Sequence, residues 1–339
     1  MQFDLIRNLP EMSALSAQWN ELLAGSASHV PFLRNEYLRT WWQTLGGGEW
    51  SQGELCVITA RQDGQLAGIA PLFFTTNREG EPALMLLGCI EISDYLDLIV
   101  PAQTLQPFVD GLFDYLSAMQ TPAWRVLDWW NFLITSPTLP ALEAAAARLG
   151  WSFTSEVLQH CPYIPLPGDW EVYLAGIDKK QRHEVRRKMR RLEIEVPSRW
   201  YIVEDEANLE AEVEAFMDMM AQDLNKRRFL TDTMRVQFRT SACAAFRAGW
   251  LQLAFLEIGG EKAAGYINFD YLNSIWVYNS AINFKFREQS PGWVLLGYLL
   301  QWANEHKRDV FDFMRGDEEY KYRFGGVDRR VVRTLIRRL

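Results

Sequence analysis

Residues 263–325, AAGYINFDYLNSIWVYNSAINFKFREQSPGWVLLGYLLQWANEHKRDVFDFMRGDEEYKYRFG, hold the passage on which the fold turns. AAGYINFDY (263–271) and IWVYNSAI (275–282) alternate bulky with small or polar residues, the period of a half-buried strand. Leu272-Asn273-Ser274 is short enough to join them as a hairpin. Ser290-Pro291-Gly292 then opens a helix: proline has its φ already set, and Ser290 is placed to cap it. Residues 293–306 are apolar almost all round, so this helix is largely buried. Residues 310–314 make a short strand, and RGDEEYKYRFG follows at once. A strand, a glycine-bearing turn and a helix start form an anion site, because free N–H groups and the helix dipole point outward there.

Outward from this stretch the same order recurs. Residues 11–23 and 35–45 read as helices, and Gly46-Gly47-Gly48 ends the second. Residues 54–60 and 66–74 read as strands around a Gln62-Asp63-Gly64 turn, with further strands at 83–89 and 95–100. A helix at 105–119, a strand at 124–130, a helix at 139–149 and a strand at 151–157 complete the half. Residues 162–167 hold three prolines and read as a linker. Beyond them come helices at 170–175, 179–191, 210–223 and 233–248, a strand at 251–258, the opening stretch, and a last strand at 330–336. The expectation is an α/β chain with mixed (α+β) sheets in two similar halves. An N-terminal domain would span 1–161, a linker 162–169 and a C-terminal domain 170–339.

Composition narrows the function classes. The chain has 339 residues, 48% hydrophobic and 23% charged, which suits two globular domains. No apolar run approaches the ~20 residues that span a bilayer. The start, MQFDLIRNLPEM, has no basic region leading into an apolar one, so a cytoplasmic protein is expected. Four scattered cysteines read as free thiols, and four histidines without metal-ligand spacing leave no metal site. A net charge of −8 argues against DNA as partner.

Several constellations carry candidate chemistry. Ser290, Pro291, Gly292 and Trp293 form a candidate pyrophosphate cradle, with the N–H groups of Gly292 and Trp293 facing phosphate and Lys285 and Arg287 adding positive charge. Arg315, Asp317, Glu318, Tyr320 and Lys321 form either a substrate wall at the end of a strand or a salt-bridge knot locking it. Asp312, in phase with Val310 and Met314, reads as buried and structural. Asp97, with Asp94 just before it, sits between Leu96 and Leu98 in the expected strand, a setting that raises a carboxyl toward the range of a general base. Tyr278, in phase with Trp276 and Ser280, is a candidate general acid. Residues 179–191, KKQRHEVRRKMRR, are either a solvated face paired with the acidic residues 204–214 or a docking surface for a polyanion. Trp41-Trp42 and Trp129-Trp130 suit a core first and a sugar cleft second.

The Ser290-Pro291-Gly292 helix start and the FDFMRGDEEYKYRF run (311–324), with Pro31-Phe32, Trp41-Trp42, SDYLD (93–97) and the basic helix, resemble the acetyltransferase family associated with bacterial cellulose and exopolysaccharide biosynthesis, the CelD-like group. That resemblance implies a tandem GNAT-like acyltransferase fold, similar to the Fem-type peptidoglycan aminoacyltransferases. It implies acyl transfer from acetyl-CoA or another acyl-CoA to the hydroxyl or amine of a small-molecule or glycan-precursor acceptor. On it, Ser290 to Trp293 are a degenerate form of the GNAT pyrophosphate loop that holds the cofactor. For such an acyltransferase the residues themselves offer Asp97 as base and Tyr278 as acid, and Asp94, Arg315, Asp317, Glu318, Tyr320 and Lys321 to meet the substrate. The glycine-rich Arg/Gln-x-x-Gly-x-Gly/Ala pattern is absent, and Gln289-Ser290-Pro291-Gly292-Trp293 keeps one glycine. A charged tRNA as donor, as in the Fem group, therefore stays open beside CoA, as does a non-catalytic binding module.

Overall fold

The computed structural model describes residues 1–338. The strands are β1 (Gln2–Ile6), β2 (Glu54–Gln62), β3 (Gln65–Thr76), β4 (Pro82–Leu86), β5 (Val126–Leu133), β6 (Ser152–His160), β7 (Tyr163–Pro165), β8 (Ser198–Ile202), β9 (Leu251–Ile258), β10 (Glu261–Tyr271), β11 (Ser274–Ile282), β12 (Val310–Asp312) and β13 (Arg330–Arg337). They build a seven-stranded sheet, β1-β2-β3-β4-β5-β13-β6, and a six-stranded one, β7-β12-β11-β10-β9-β8. The chain divides into one unit of Met1–Gln159 with Arg330–Leu339 and a second of His160–Arg329.

The two sheets repeat one plan. An antiparallel meander (β2-β3-β4, β9-β10-β11) leads through a helix, Leu105–Ala118 or Pro291–Glu305, into a parallel strand, β5 or β12. A strand from outside the run then pairs antiparallel with that last strand: β13 with β5, and β7 with β12. Here the sequence reading is corrected twice. The proline-bearing linker contains β7, whose Ile164 pairs with Phe311, and the last strand belongs to the first unit instead of closing the second. Alternation alone says that a segment is a strand, not which sheet takes it. Arg333 explains the destination. It is buried and forks onto Asp128 of β5 at 2.8 Å through both Nε and Nη2, while Asp128 also accepts from Asn77 Nδ2 at 3.0 Å.

Residues 95–100 form no strand; they touch β3 through the single Ile69–Ile99 bridge. Tyr95 has a positive φ of 56°, and the Asp97 carboxylate takes the Leu98 N–H at 2.7 Å, so this backbone cannot run as a ladder. Strands β1 and β8, each at the far edge of its sheet, were not among the expected elements. Trp41 and Trp129 are fully buried core residues. Trp42 packs on Phe73 at 6.1 Å, and the guanidinium of Arg333 lies 4.4 Å from the centroid of the Trp130 ring.

Candidate active site in the second unit

Strands β10 and β11 pair regularly from Tyr271↔Ser274 to Asn268↔Val277, and the next pair is Ile267↔Asn279. Tyr278 is the extra residue of a β-bulge, and beyond it every side chain changes face. Ile275 and Val277 point into the core beneath the helix Pro291–Glu305; past the bulge, Ser280 and Ile282 point the same way. Tyr278 instead stacks on Phe269 at 5.1 Å and packs on Phe238 of the helix Asp232–Arg247 at 5.3 Å. Its expected phase with Ser280 is broken, and it does not line the cavity described next.

Strands β11 and β12 stay together for only three residues, Ser274–Trp276 against Val310–Asp312. Beyond Trp276 the described residues supply no strand on that side of β11, so the sheet opens there. Next to this opening lies a cavity of about 410 Å³. Its apolar walls include Ile282, Phe284, Leu296 and Phe324; its polar groups come from Tyr266, Ser280, Tyr320, Lys188 and Arg287. Mostly apolar walls with a few placed polar groups, at this volume, describe a small-molecule site.

The helix start differs from the sequence reading. Ser290, Pro291, Gly292 and Trp293 all line the cavity. Ser290 does not cap through its side chain: it is left-handed (φ 52°), and its carbonyl accepts from Trp293 N at 3.0 Å and Val294 N at 3.1 Å. Proline has no N–H, so among the described residues Gly292 is the one first-turn amide without an acceptor. One donor remains where two were expected. A Cβ on Gly292 would stand 2.8 Å from Ile282 Cδ1, so close approach to β11 accounts for the glycine. Trp293 packs on Phe324 at 4.5 Å and lies under the Lys188 ammonium at 4.6 Å. Its Nε1 and the Gln289 Oε1 are buried without a hydrogen-bond partner among the described residues. Arg287 stacks on Phe284 at 3.6 Å, whereas Lys285 is tied to Glu261 at 2.5 Å.

The polar run after β12 splits by role. Asp312 is fully buried and takes the Met314 N–H at 2.9 Å and the Arg329 guanidinium, a structural part as expected. Lys321 is also buried: its Nζ donates to the carbonyls of Arg315 at 2.9 Å and Gly316 at 3.0 Å and pairs with Glu318 at 2.9 Å. It clamps the loop and has no donor left for a substrate. Arg315, Asp317 and Glu318 do not line the cavity. Tyr320 does, with its ring edge-on to Phe313 at 5.9 Å and its hydroxyl unpaired within the protein among the described residues. Burial pushes its phenol well above the ordinary value, so it carries its proton at neutral pH.

Asp97 and Asp94 belong to the first unit, and every other expected site residue belongs to the second. Asp97 is 1% exposed, and its carboxylate accepts from Ser28 Oγ at 2.5 Å, Ser136 Oγ at 2.6 Å and Leu98 N. Burial raises its pKa, while these bonds act the other way. The result is a staple between three loops. Asp94, in the same loop, is buried as well.

The basic helix Lys179–Glu195 runs beside the cavity. Its partners are Glu184 for Arg187 at 2.9 Å, Glu195 for Arg191 at 2.7 Å and Glu171 for Arg186, not the acidic residues 204–214. A recess of about 320 Å³, lined by the cations Arg187, Lys188 and Arg191 and the carboxylates Glu184, Glu195 and Glu288, shares Lys188 and Ser290 with the cavity. No cluster of three His, Cys, Asp or Glu able to hold a metal occurs among the described residues, and none of their helices is long and apolar enough to cross a membrane. Lys188, Ser280 and Tyr266 were not named as site residues in the sequence; the bulge, which a sequence does not display, turns Ser280 toward the wall that Tyr266 and Lys188 share.

Residues 179–322, which include this cavity, match the family model described as an acetyltransferase (GNAT) domain. No curated protein matches the chain. Among solved structures, FemX superposes with a TM-score of 0.67 at 12% identity, covering 98% of this chain and 97% of its own. A putative lysylphosphatidylglycerol synthetase C-terminal domain from Agrobacterium fabrum gives 0.58 at 10% identity, covering 96% and 92%. L-PGS from Bacillus licheniformis gives 0.57 at 13% identity, covering 98% and 92%. The fold is thus a tandem GNAT-like acyltransferase fold with two similar mixed α/β units, the second carrying the stretch that matches a GNAT acetyltransferase domain.

Proposed function

We propose that the protein is an acyl-CoA-dependent N- or O-acyltransferase acting on a sugar- or amino-acid-derived acceptor, in exopolysaccharide or cell-envelope metabolism. The observation that carries this reading is the cavity at the opening of β11 and β12, with the Gly292 N–H, two cations and a protonated Tyr320 on its walls. Acetyl-CoA or a longer acyl-CoA places its thioester arm in the apolar part. Lys188, Arg287 and the Gly292 N–H meet its phosphates. The uncharged amine or hydroxyl of the acceptor attacks the thioester carbon, and backbone N–H groups along β11 hold the developing oxyanion. The C–S bond breaks, the sulfur keeps the electron pair, and Tyr320 donates the proton that makes the free thiol. The proton lost by the acceptor returns to Tyr320 through solvent.

Thermal melting with CoA, acetyl-CoA and longer acyl-CoAs tests the reading. A ligand at a hundred times its dissociation constant adds about 2.7 kcal/mol. The shift should vanish in Ser280→Trp, which fills the cavity from a half-exposed wall position. A second reading, an aminoacyl-tRNA-dependent transferase, is favoured by the basic helix Lys179–Glu195, which runs beside the cavity. It gains if no CoA species shifts the melt and tRNA binds in a salt-dependent manner that Arg187→Glu with Arg191→Glu abolishes. If neither ligand binds, a non-catalytic module is left.

A further inference from the structure

The helix Leu224–Phe229 lies over the face of β11 that carries Tyr278, its Phe229 packing on Phe238 at 6.1 Å. From it Lys226 reaches the bulge: Nζ donates to the Ser280 carbonyl at 2.5 Å and to Asn279 Oδ1 at 3.0 Å. An ammonium has three donors, and no bond for the third occurs among the described residues. Nor does any described carboxylate pair with it. Asp223 caps its own helix through the N–H groups of Asn225 and Lys226, and Glu318 is bound to Lys321. Desolvation nevertheless dominates at this amine and lowers its pKa. The charges of Asp223 and Glu318 reach it only from a distance and neither carboxylate touches it, so one donor of a largely desolvated cation is left for an anion.

Its position says what that is. The ammonium holds residues of β11 just past the point where β12 leaves, and it feels the charge of Glu318, which follows β12. Lys226 therefore stands at the opening in the sheet, touching through Ser280 the wall of the cavity proposed for the thioester. Lys188 and Arg287 line the cavity itself; Lys226 does not. The anion it awaits is thus a separate one from the donor's phosphates.

We propose that Lys226 is the specificity residue of the acceptor site, where its ammonium binds a carboxylate or phosphate of the acceptor and points the nucleophile through the sheet opening. That the anion belongs to an acceptor rests on the acyltransferase reading; that the site binds an anion does not. An acceptor with such a group fits an activated sugar or an amino acid and excludes a neutral sugar.

Isothermal titration and thermal melting of the full chain, Lys226→Met and Lys226→Arg, with inorganic phosphate and succinate as probes and CoA in parallel, test this. The wild type should bind one probe saturably, phosphate indicating a phosphorylated acceptor and succinate a carboxylate. Lys226→Met should weaken that binding by at least about tenfold while keeping the CoA shift and melting close to the wild type, since the loss of two hydrogen bonds is offset by the removal of a desolvated charge. Lys226→Arg should retain the anion. The proposal is overturned if the wild type binds neither probe, if Lys226→Met binds as well as the wild type, or if Lys226→Met melts far below it with probe affinity intact. The last result would make the lysine a prop for the bulge. Probe binding lost in Lys226→Met alongside no CoA binding in any variant would sustain the anion site and refute the donor assignment alone.

Discussion

Replacing Tyr320 with phenylalanine separates the chemistry from the fold more cleanly than any other change here. The hydroxyl has no hydrogen-bond partner among the described residues, and the ring contacts to Phe313 are kept. Deleting it should move stability by less than about 0.5 kcal/mol. For a unit of this size that is a melting shift of no more than about 2 °C. General-acid assistance contributes about 10²–10⁴ in rate, or about 2.7–5.5 kcal/mol of barrier. Release of free CoA from acetyl-CoA, followed with a thiol reagent and a working acceptor, should therefore show kcat reduced by that factor. KM for acetyl-CoA should hold, because the phosphates and the acyl tail are bound by other groups. Tyr278→Phe, on the opposite face of β11, is the control and should leave kcat alone. The reasoning is refuted if Tyr320→Phe retains the wild-type kcat, or if Tyr278→Phe lowers it and Tyr320→Phe does not.

The staple role of Asp97 makes the reverse prediction: Asp97→Asn should cost about 1–3 kcal/mol of unfolding free energy with turnover per folded molecule unchanged, because an amide presents a donor where Ser28, Ser136 and Leu98 all donate. Normal stability with lost turnover in this variant would return Asp97 to the chemistry. The phenols of Tyr173, Tyr266 and Tyr320 are all raised by burial above their ordinary value of 10.0, so the folded state holds their protons longer than the unfolded one. Stability from this source should be complete below about pH 9 and fall as pH rises above about 10, with phenolate absorbance appearing together with unfolding in urea titrations; a flat profile through that window would contradict it.

The meanders, the crossover helices and the parallel strands were legible because each rests on local signals: alternation, a short turn or a proline at a helix start. Both Asp63 and Gly64 adopt positive φ (52° and 80°), as the hairpin reading of that turn requires. The exchange of β7 and β13 was not legible, since its determinants are pairwise and far apart. Arg333 and Asp128 are 205 residues distant, and neither is informative without the other. The bulge was hidden for a different reason. IWVYNSAI alternates cleanly on paper, and only the mismatch with the residues of β10 inserts Tyr278 as an extra residue. One unpaired residue then moves the hydroxyl of Tyr278 to one face and brings Ser280 to the other, so the expected phase between them fails and Tyr278 is kept from the cavity.

The run from Arg315 to Phe324 shows why a dense polar cluster can be found from sequence and still not be resolved into roles. Lys321 satisfies two carbonyls and a carboxylate, and Gly316, at φ 115°, gives its N–H to the His160 carbonyl at 2.8 Å. These contacts fix a loop that would otherwise carry unsatisfied backbone groups beside the end of β12. The fixed loop leads into the short helix Glu319–Arg323, and that helix sets the ring of Tyr320 in the cavity wall. The two rival readings, substrate wall and salt-bridge knot, therefore describe neighbouring residues of one device: the lysine immobilises the turn, and the tyrosine beside it is what the immobilised turn presents. On this argument Lys321→Met would lower turnover through the placement of Tyr320, whereas Tyr320→Phe acts on the proton itself.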